Sequence, residues 1–183
     1  LAAFDPGGDP DHALCDALIA ANRAVLDTGA TNEDLSGMGC TLVAAHLEPD
    51  TVTVCHLGDS RAYLGVPEGH IERLTRDHSY VETLVTEMGL TTGEARMHPM
   101  RHIVTRAVGT SEHPHPESVR FDFPPDARLL LCTDGLWSML EDSELEQLLF
   151  SADEPDRVTE GMVRDANVEG GEDNITAAVA WLA

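Results

Sequence analysis

The segment from Thr51 to Leu64 constrains the fold more than any other part of the chain. Its first half, TVTVCHL, alternates β-branched residues with others, and Gly58-Asp59-Ser60 interrupts this pattern before Arg61-Ala62-Tyr63-Leu64 resumes it. A period of two predicts β-strands, and the Gly-Asp-Ser interruption predicts a tight turn between them. The chain is therefore expected to build a sheet around this strand-turn-strand unit.

The rest of the chain mixes short strands with amphipathic helices. Further strands are predicted over 40–45, 119–123, 128–132 and 174–182, and helices over 10–28, 79–88, 142–150 and 155–167. Gly29 and Gly89 are predicted to end the first two helices, and Ser79 with Glu82 forms a capping-box pattern. Residues 90–118 show little periodicity and predict an irregular flap. This order favours a layered α+β domain over an alternating βαβ array.

Composition limits the class of protein. The chain has 183 residues, 42% of them apolar, which predicts one domain with one core. Its 33 acidic residues against 11 basic ones give a net charge of −22, which argues against nucleic-acid or membrane-surface binding. No apolar run approaches the ~20 residues of a membrane span, and no signal-peptide pattern opens the chain. We therefore expect a soluble, cytoplasmic protein.

Four scattered cysteines, Cys15, Cys40, Cys55 and Cys132, lie among apolar neighbours without a C-x-x-C pair. This pattern favours buried free thiols over disulfides or a zinc site.

Three carboxylates stand out by their position beside strands. They are Asp59 in HLGDSRAYL, Asp134 in LLLCTDGLWSM and Asp173 in EGGEDNITAAVAW, each next to a residue that permits a sharp turn. Carboxylates at strand ends can converge on one edge of a sheet and bind a hard divalent cation. Each can instead be a turn-capping Asp that bonds its own backbone, and spacing alone leaves both interpretations open.

Two other sets of residues have weaker functional signals. His98 and His102 have zinc-ligand spacing, but the proline between them argues against a regular helix that would present both. Arg96, Arg101 and Arg106 lie in or beside the flap, where they either contact a phosphopeptide or pair with nearby acidic residues.

Six segments taken together resemble a known family. GMGCTLVAAHL, VCHLGDSRAYL, RLTRDHSYVETLV, HPMRHIVTRAVG, LLLCTDGLWSML and GGEDNITAAVAWL follow the order and approximate spacing of PP2C-like, metal-dependent Ser/Thr protein phosphatases. The resemblance runs from about Ser36 to Ala183 and is closest to the bacterial branch. It implies an αββα sandwich, in which two antiparallel sheets pack face to face with helices outside.

The resemblance also implies roles for single residues. Asp134 and Asp173 match carboxylates of a binuclear Mn²⁺ or Mg²⁺ centre, and Asp59 matches the ligand of a third, weaker metal. Asn174 would hold the Asp173 loop in position, and Asp77 and His78 of RDHS would have positioning roles. The implied reaction is phosphomonoester hydrolysis by a metal-activated water. The implied substrates are phosphorylated Ser/Thr proteins, a Ser/Thr kinase among them.

The sequence departs from the family pattern at two places. The family's N-terminal Asp-Gly metal motif has no counterpart before residue 10, and Ser138 stands where bacterial relatives commonly carry another Asp. We therefore expect residues 1–183 to form a single phosphatase domain without its N-terminal segment. The same departures favour an alternative, a non-catalytic pseudophosphatase that binds phosphoproteins. A sporulation-type phosphatase is a third possibility, against which the GDSRAYL and DHS segments argue.

Overall fold

Two sheets organise the chain in the computed structural model, which describes residues 8–67 and 70–182. The strands are β1 (Leu42–Leu47), β2 (Thr51–Leu57), β3 (Arg61–Gly65), β4 (Ile71–Arg73), β5 (Glu117–Asp122), β6 (Arg128–Cys132) and β7 (Ala177–Ala180). One sheet has the order β1-β2-β5 and the other β4-β3-β6-β7. Both are antiparallel, and helices accompany them, which confirms the predicted α+β class.

The helices are α1 (Pro10–Thr31), α2 (Tyr80–Met88), α3 (Thr92–Arg96), α4 (Asp134–Trp137), α5 (Asp142–Leu149) and α6 (Pro155–Val168). None of these described helices is both long and apolar enough to cross a membrane. The chain separates into two compact units. The first comprises the described residues up to His46 with Thr53–Asp59 and Arg76–Arg120, and the second comprises those of Leu47–Val52, Ser60–Thr75 and the part from Phe121 onward.

The first unit is built on the apolar face of α1. Leu14 and Leu18 pack with Leu57 and Val108 in one buried cluster. Burying a side chain of this kind contributes roughly 1.5–3 kcal/mol relative to leaving it exposed.

The same face of α1 also holds a buried polar anchor. Asn22, 2% exposed, donates from Nδ2 to the carbonyl oxygen of Ser111 at 2.9 Å and accepts at Oδ1 from the Gly109 amide at 2.7 Å. The nitrogen and the oxygen of the Asn22 side-chain amide thus each have a partner, which fixes the end of the flap against the helix.

The second unit has its own core around β6, the strand that pairs with both β3 and β7. Its buried residues come from strands β3 and β6 and from α4, α5, α6 and the turn after α4: Tyr63, Leu130, Cys132, Leu136, Leu140, Leu145, Leu149, Val158, Met162 and Ala166. Half-buried Trp137 and Trp181 pack against this cluster.

Arg128 ties β6 to the end of α5. Its Nη1 donates to the carbonyl oxygens of Leu149, at 2.8 Å, and Ala152, and its guanidinium lies 4.4 Å from the centre of the Trp181 ring. Arginine suits this position because its planar head can bond two carbonyls and stack on an aromatic ring at once.

Most predicted elements are confirmed, with shifted ends. Strands β2 and β6 have the predicted limits, and α2 begins after Ser79, whose Oγ accepts from the Glu82 amide at 3.2 Å. Gly89 ends α2 as predicted, in the left-handed conformation at φ 73°. The prediction that Gly29 ends α1 is wrong: the helix continues to Thr31. A Cβ at Gly29 would lie 3.1 Å from the Leu35 carbonyl oxygen, so this glycine permits a close approach rather than a stop.

The structure differs from the predictions in three smaller ways. Strand β7 covers only Ala177–Ala180 of the predicted 174–182, because the residues before it form a loop that bonds to the end of β6. Helices α3 and α4 and strand β4 are additional elements, each five residues or shorter, which is too short for periodicity to reveal. Cys40 is exposed rather than buried, whereas Cys55 and Cys132 are buried as expected.

Candidate functional site

Asp134 lies where β6 turns into α4. The strand ends at Cys132, Thr133 is the N-cap, and Asp134 is the first residue of the helix, with a half-buried side chain. The Asp134 carbonyl oxygen accepts from both the amide of Ser138, at 2.9 Å, and its hydroxyl, at 2.5 Å. The Ser138 hydroxyl therefore caps the helical turn that carries Asp134.

Asp173 lies in the loop between α6 and β7, with an exposed side chain. Its Oδ1 accepts from the backbone amide of Asn174 at 2.7 Å, and the Asn174 carbonyl oxygen accepts from Thr133 Oγ1 at 3.2 Å. Asn174 thus contacts the Asp173 carboxylate on one side and the β6 end on the other. These contacts are made by the backbone of Asn174.

The Asp134 turn and the Asp173 loop touch each other. In the sheet, Cys132 at the end of β6 lies opposite Ala177 at the start of β7. Asp134 comes just after β6 and Asp173 just before β7, so both residues are at the same end of this strand pair. A Cβ added to Gly135 would collide with the Asn174 carbonyl oxygen and lie 2.9 Å from its carbonyl carbon. Only glycine permits this approach without displacing backbone, which explains the Thr-Asp-Gly sequence.

Hydrogen bonds through Thr133 close the same junction. The Thr133 amide donates to the Thr176 carbonyl oxygen at 3.1 Å, and the Thr176 amide donates to Thr133 Oγ1 at 3.0 Å. An open depression of about 520 Å³ adjoins the loop, and Glu172, Asp173 and Asn174 contribute to its wall. Two carboxylates on joined loops are oxygen donors of the kind that Mg²⁺ and Mn²⁺ bind, so this donor set fits the implied metal.

Asp59 is found in the first unit rather than the second. It lies in the predicted turn between β2 and β3 and is 5% exposed. The structure thus joins the loops that carry Asp134 and Asp173 through the Asn174 backbone, whereas Asp59 belongs to the first compact unit.

A buried histidine cluster is a feature that the sequence analysis missed. His56 and His78 stack with ring centres 4.5 Å apart, and one nitrogen of each lies within 4.8 Å of a Glu117 carboxylate oxygen. Glu117 also accepts a 2.6 Å hydrogen bond from Arg106 Nη2. His56 is almost fully buried, at 2% exposure. No periodic spacing relates these residues, so only the folded chain reveals the cluster.

The protonation of His78 follows from its contacts. Its Nδ1 accepts from the Gly58 amide at 3.1 Å, so in the neutral ring Nε2 carries the hydrogen. That Nε2 lies 3.3 Å from Glu117 Oε1 without being aligned for a hydrogen bond. A nitrogen that carries hydrogen offers no lone pair to a metal, and the Arg106 guanidinium already neutralises the Glu117 carboxylate. The cluster therefore suits a structural role better than cation binding.

Burial sets the ionisation of these groups. Desolvation, with smaller effects from His56 and Arg106, lowers the pKa of His78 to about 4, and desolvation also lowers the pKa of His56. Partial burial alone would raise the pKa of Glu117, but its hydrogen bond to Arg106 and its neighbouring histidines lower it overall. Both histidines are consequently neutral at pH 7.

Two weaker sequence signals can also be placed. Of the flap arginines, Arg106 forms an ion pair with Glu117, in agreement with the alternative that these arginines pair with nearby acidic residues. Among the described residues, the only cluster of three or more metal-ligating groups is the histidine cluster, so His98 and His102 are not part of such a group.

The two antiparallel sheets and the paired aspartate loops define an α+β fold with a candidate carboxylate metal site. Comparison with known proteins identifies its family: the model of the protein phosphatase 2C family matches residues 3–174. The chain belongs to the protein phosphatase 2C family.

Similar proteins and structures agree with this assignment. A putative protein phosphatase 2C-type from Streptococcus pyogenes is 36% identical over 166 residues, which cover 91% of this chain and 67% of the relative. The serine/threonine phosphatase stp of Listeria monocytogenes is 36% identical over 85% of this chain and 61% of its own length. The chain thus spans about three fifths to two thirds of these relatives.

Among solved structures, the serine/threonine phosphatase PstP/Ppp of Mycobacterium tuberculosis superposes with a TM-score of 0.87 at 33% identity, over 95% of this chain and 73% of that one. A structure of the PstP catalytic domain in complex with two manganese ions gives a TM-score of 0.83 at 32% identity, over 96% of this chain and 72% of that one.

Proposed function

We propose that this chain belongs to a metal-dependent protein serine/threonine phosphatase that hydrolyses phosphomonoesters. The observation that carries the proposal is the junction of the Asp134 turn with the Asp173 loop, where Gly135 packs against the Asn174 backbone. Each of the two joined loops carries one carboxylate, the ligand type that Mg²⁺ and Mn²⁺ bind. Membership of the protein phosphatase 2C family supports the reaction class.

Asp134 and Asp173 would supply oxygen ligands to Mn²⁺ or Mg²⁺. Asn174 would hold the Asp173 carboxylate through the 2.7 Å bond from its backbone amide. A bound cation supplies Lewis acidity, which activates water and offsets charge on the phosphoryl oxygens. We propose two such cations, in line with the manganese complex of PstP, and assign Asp59 separately to a third, weaker one.

The proposed substrates are proteins phosphorylated on serine or threonine, with a Ser/Thr kinase among them, and the proposed location is the cytoplasm. The relatives' names as serine/threonine phosphatases support this substrate class. The family match runs through both compact units, which supports one phosphatase domain.

The test uses the longest reading frame that contains this sequence, assayed on a phosphothreonine peptide and on p-nitrophenyl phosphate with added Mn²⁺. Asp134→Asn and Asp173→Asn should each lower the rate more than roughly 100-fold, since removing even a partner behind a metal ligand costs ~10–100-fold. Asp126→Asn is the matched control: Asp126 is an exposed turn residue at φ 63°, a conformation that Asn also tolerates.

Phosphatase activity that needs no divalent cation, or equal activity in all three variants, would contradict the proposal. Phosphopeptide binding without turnover in the unmutated protein would instead support the non-catalytic alternative that Ser138 raises.

A further inference from the structure

Two thiols of the first unit lie unusually close together. Cys15 projects from α1 and Cys55 from β2, and their Sγ atoms are 3.3 Å apart although no disulfide joins them. Free cysteines that only fill a core have no need for this proximity. The pair therefore has a geometry that the phosphatase proposal does not use.

The surroundings hold the two sulfurs in place. Cys55 belongs to the buried cluster with Leu14, Leu18 and Leu57, and Cys15 packs against its edge. A disulfide needs an S–S distance of ~2.05 Å, so the sulfurs have to approach by about 1.2 Å, a distance within the reach of side-chain rotation.

The two thiols differ in access to solvent. Cys55 is fully buried, at 0% exposure, whereas Cys15 is half-buried. Burial also raises the pKa of the Cys55 thiol, which keeps it protonated. A small oxidant dissolved in water therefore meets Cys15 first, and Cys55 lies beside it as the resolving group.

We propose that Cys15 and Cys55 are an oxidative modification site, at which a hydroperoxide closes an intramolecular disulfide between α1 and β2. The Cys15 sulfur attacks the peroxide O–O bond, forming a sulfenic acid and releasing one water when hydrogen peroxide is the oxidant. The Cys55 sulfur then attacks the Cys15 sulfur and the S–O bond breaks. The Cys55 proton leaves with the departing hydroxide as a second water, so two thiols and one peroxide give one disulfide and two waters.

The disulfide would fasten α1 to the strand that runs directly into the Gly58-Asp59 turn. It would also restrain the unfolded chain, because it closes a loop that contains the 39 residues between the two cysteines and thereby lowers the unfolded-state entropy. The effect on thermal unfolding is a Tm rise of roughly 5–10 °C in the oxidised chain. The inference is independent of the metal site.

The test is a disulfide map of the unmutated chain after brief treatment with hydrogen peroxide, followed by alkylation in denaturant. Cleavage on the N-terminal side of Asp16, Asp34 and Asp50 places Cys15, Cys40 and Cys55 on three different peptides. The expected product joins the Cys15 and Cys55 peptides, weighs about 2 Da less than their sum, and separates on reduction. Cys15→Ser should abolish it, and Cys40→Ser, at the exposed cysteine, should leave it unchanged.

Recovery of Cys15 and Cys55 as separately alkylated or over-oxidised peptides would overturn the proposal, as would a cross-link from Cys15 to Cys40. Because the map of the unmutated chain decides between these outcomes, a variant that fails to fold does not obscure the result.

Discussion

Replacing Gly135 by alanine should separate the two aspartate loops. The added Cβ would meet the Asn174 backbone at a distance of 2.9 Å or less, and a backbone atom cannot swing away as a side chain can. Forcing an extra carbon into a packed site costs typically 1–3 kcal/mol. The gain in helix propensity, at most ~1 kcal/mol, is reduced here because α4 has only four residues. We expect a net loss of about 1–2 kcal/mol.

Gly161→Ala is the matched control, since Gly161 is also a buried helical glycine but its added Cβ would lie 3.7 Å from the nearest atom, in ordinary contact. This variant should gain roughly 0.5–1 kcal/mol from helix propensity. Thermal unfolding followed by circular dichroism should show a Tm several degrees lower for Gly135→Ala and slightly higher for Gly161→Ala. Equal Tm changes in the two variants would refute the reasoning that the loops meet at Gly135.

Three further predictions concern stability. As the pH falls, the unfolded chain protonates His78 near 6.5 while the folded chain holds it neutral to about 4, so stability is full above 6.5 and falls between these values, by about 3 kcal/mol. Urea titrations across this range should show that loss, and His78→Asn should flatten the slope. Asn22→Ala should cost about 1–3 kcal/mol in urea unfolding, because it removes the two hydrogen bonds by which the buried Asn22 side chain holds the flap, each worth about 0.5–1.5 kcal/mol. Arg128→Lys should lower Tm by several degrees, as lysine cannot both bond two carbonyls and stack on Trp181; an unchanged Tm would contradict this.

Local patterns predicted the strands of the core well. The alternation in TVTVCHL and the apolar run RLLLC each defined a strand to the residue, because side chains of a buried strand must match the pleat. The Gly29 prediction failed because a glycine can also serve close packing between segments, here with the Leu35 carbonyl. Tertiary proximity of that kind leaves no periodic trace in the sequence.

At the candidate site, too, local patterns could be predicted from the sequence and tertiary contacts could not. Turn chemistry at strand ends singled out Asp134 and Asp173, and the structure joins their loops through the Asn174 backbone. The roles of these residues as metal ligands stay predictions. The RDHS motif drew attention to His78, but its stacking on His56 could not be predicted, since it depends on the pairing of segments that are 22 residues apart.

The measurement that tests the central claim most directly is Mn²⁺ binding. The chain is titrated into Mn²⁺, and the electron paramagnetic resonance signal of the free ion is monitored. The account predicts that the unmutated chain and Asp126→Asn deplete this signal, whereas Asp134→Asn and Asp173→Asn each weaken binding by more than roughly tenfold. Equal depletion by all four proteins would contradict the assignment of Asp134 and Asp173 as metal ligands.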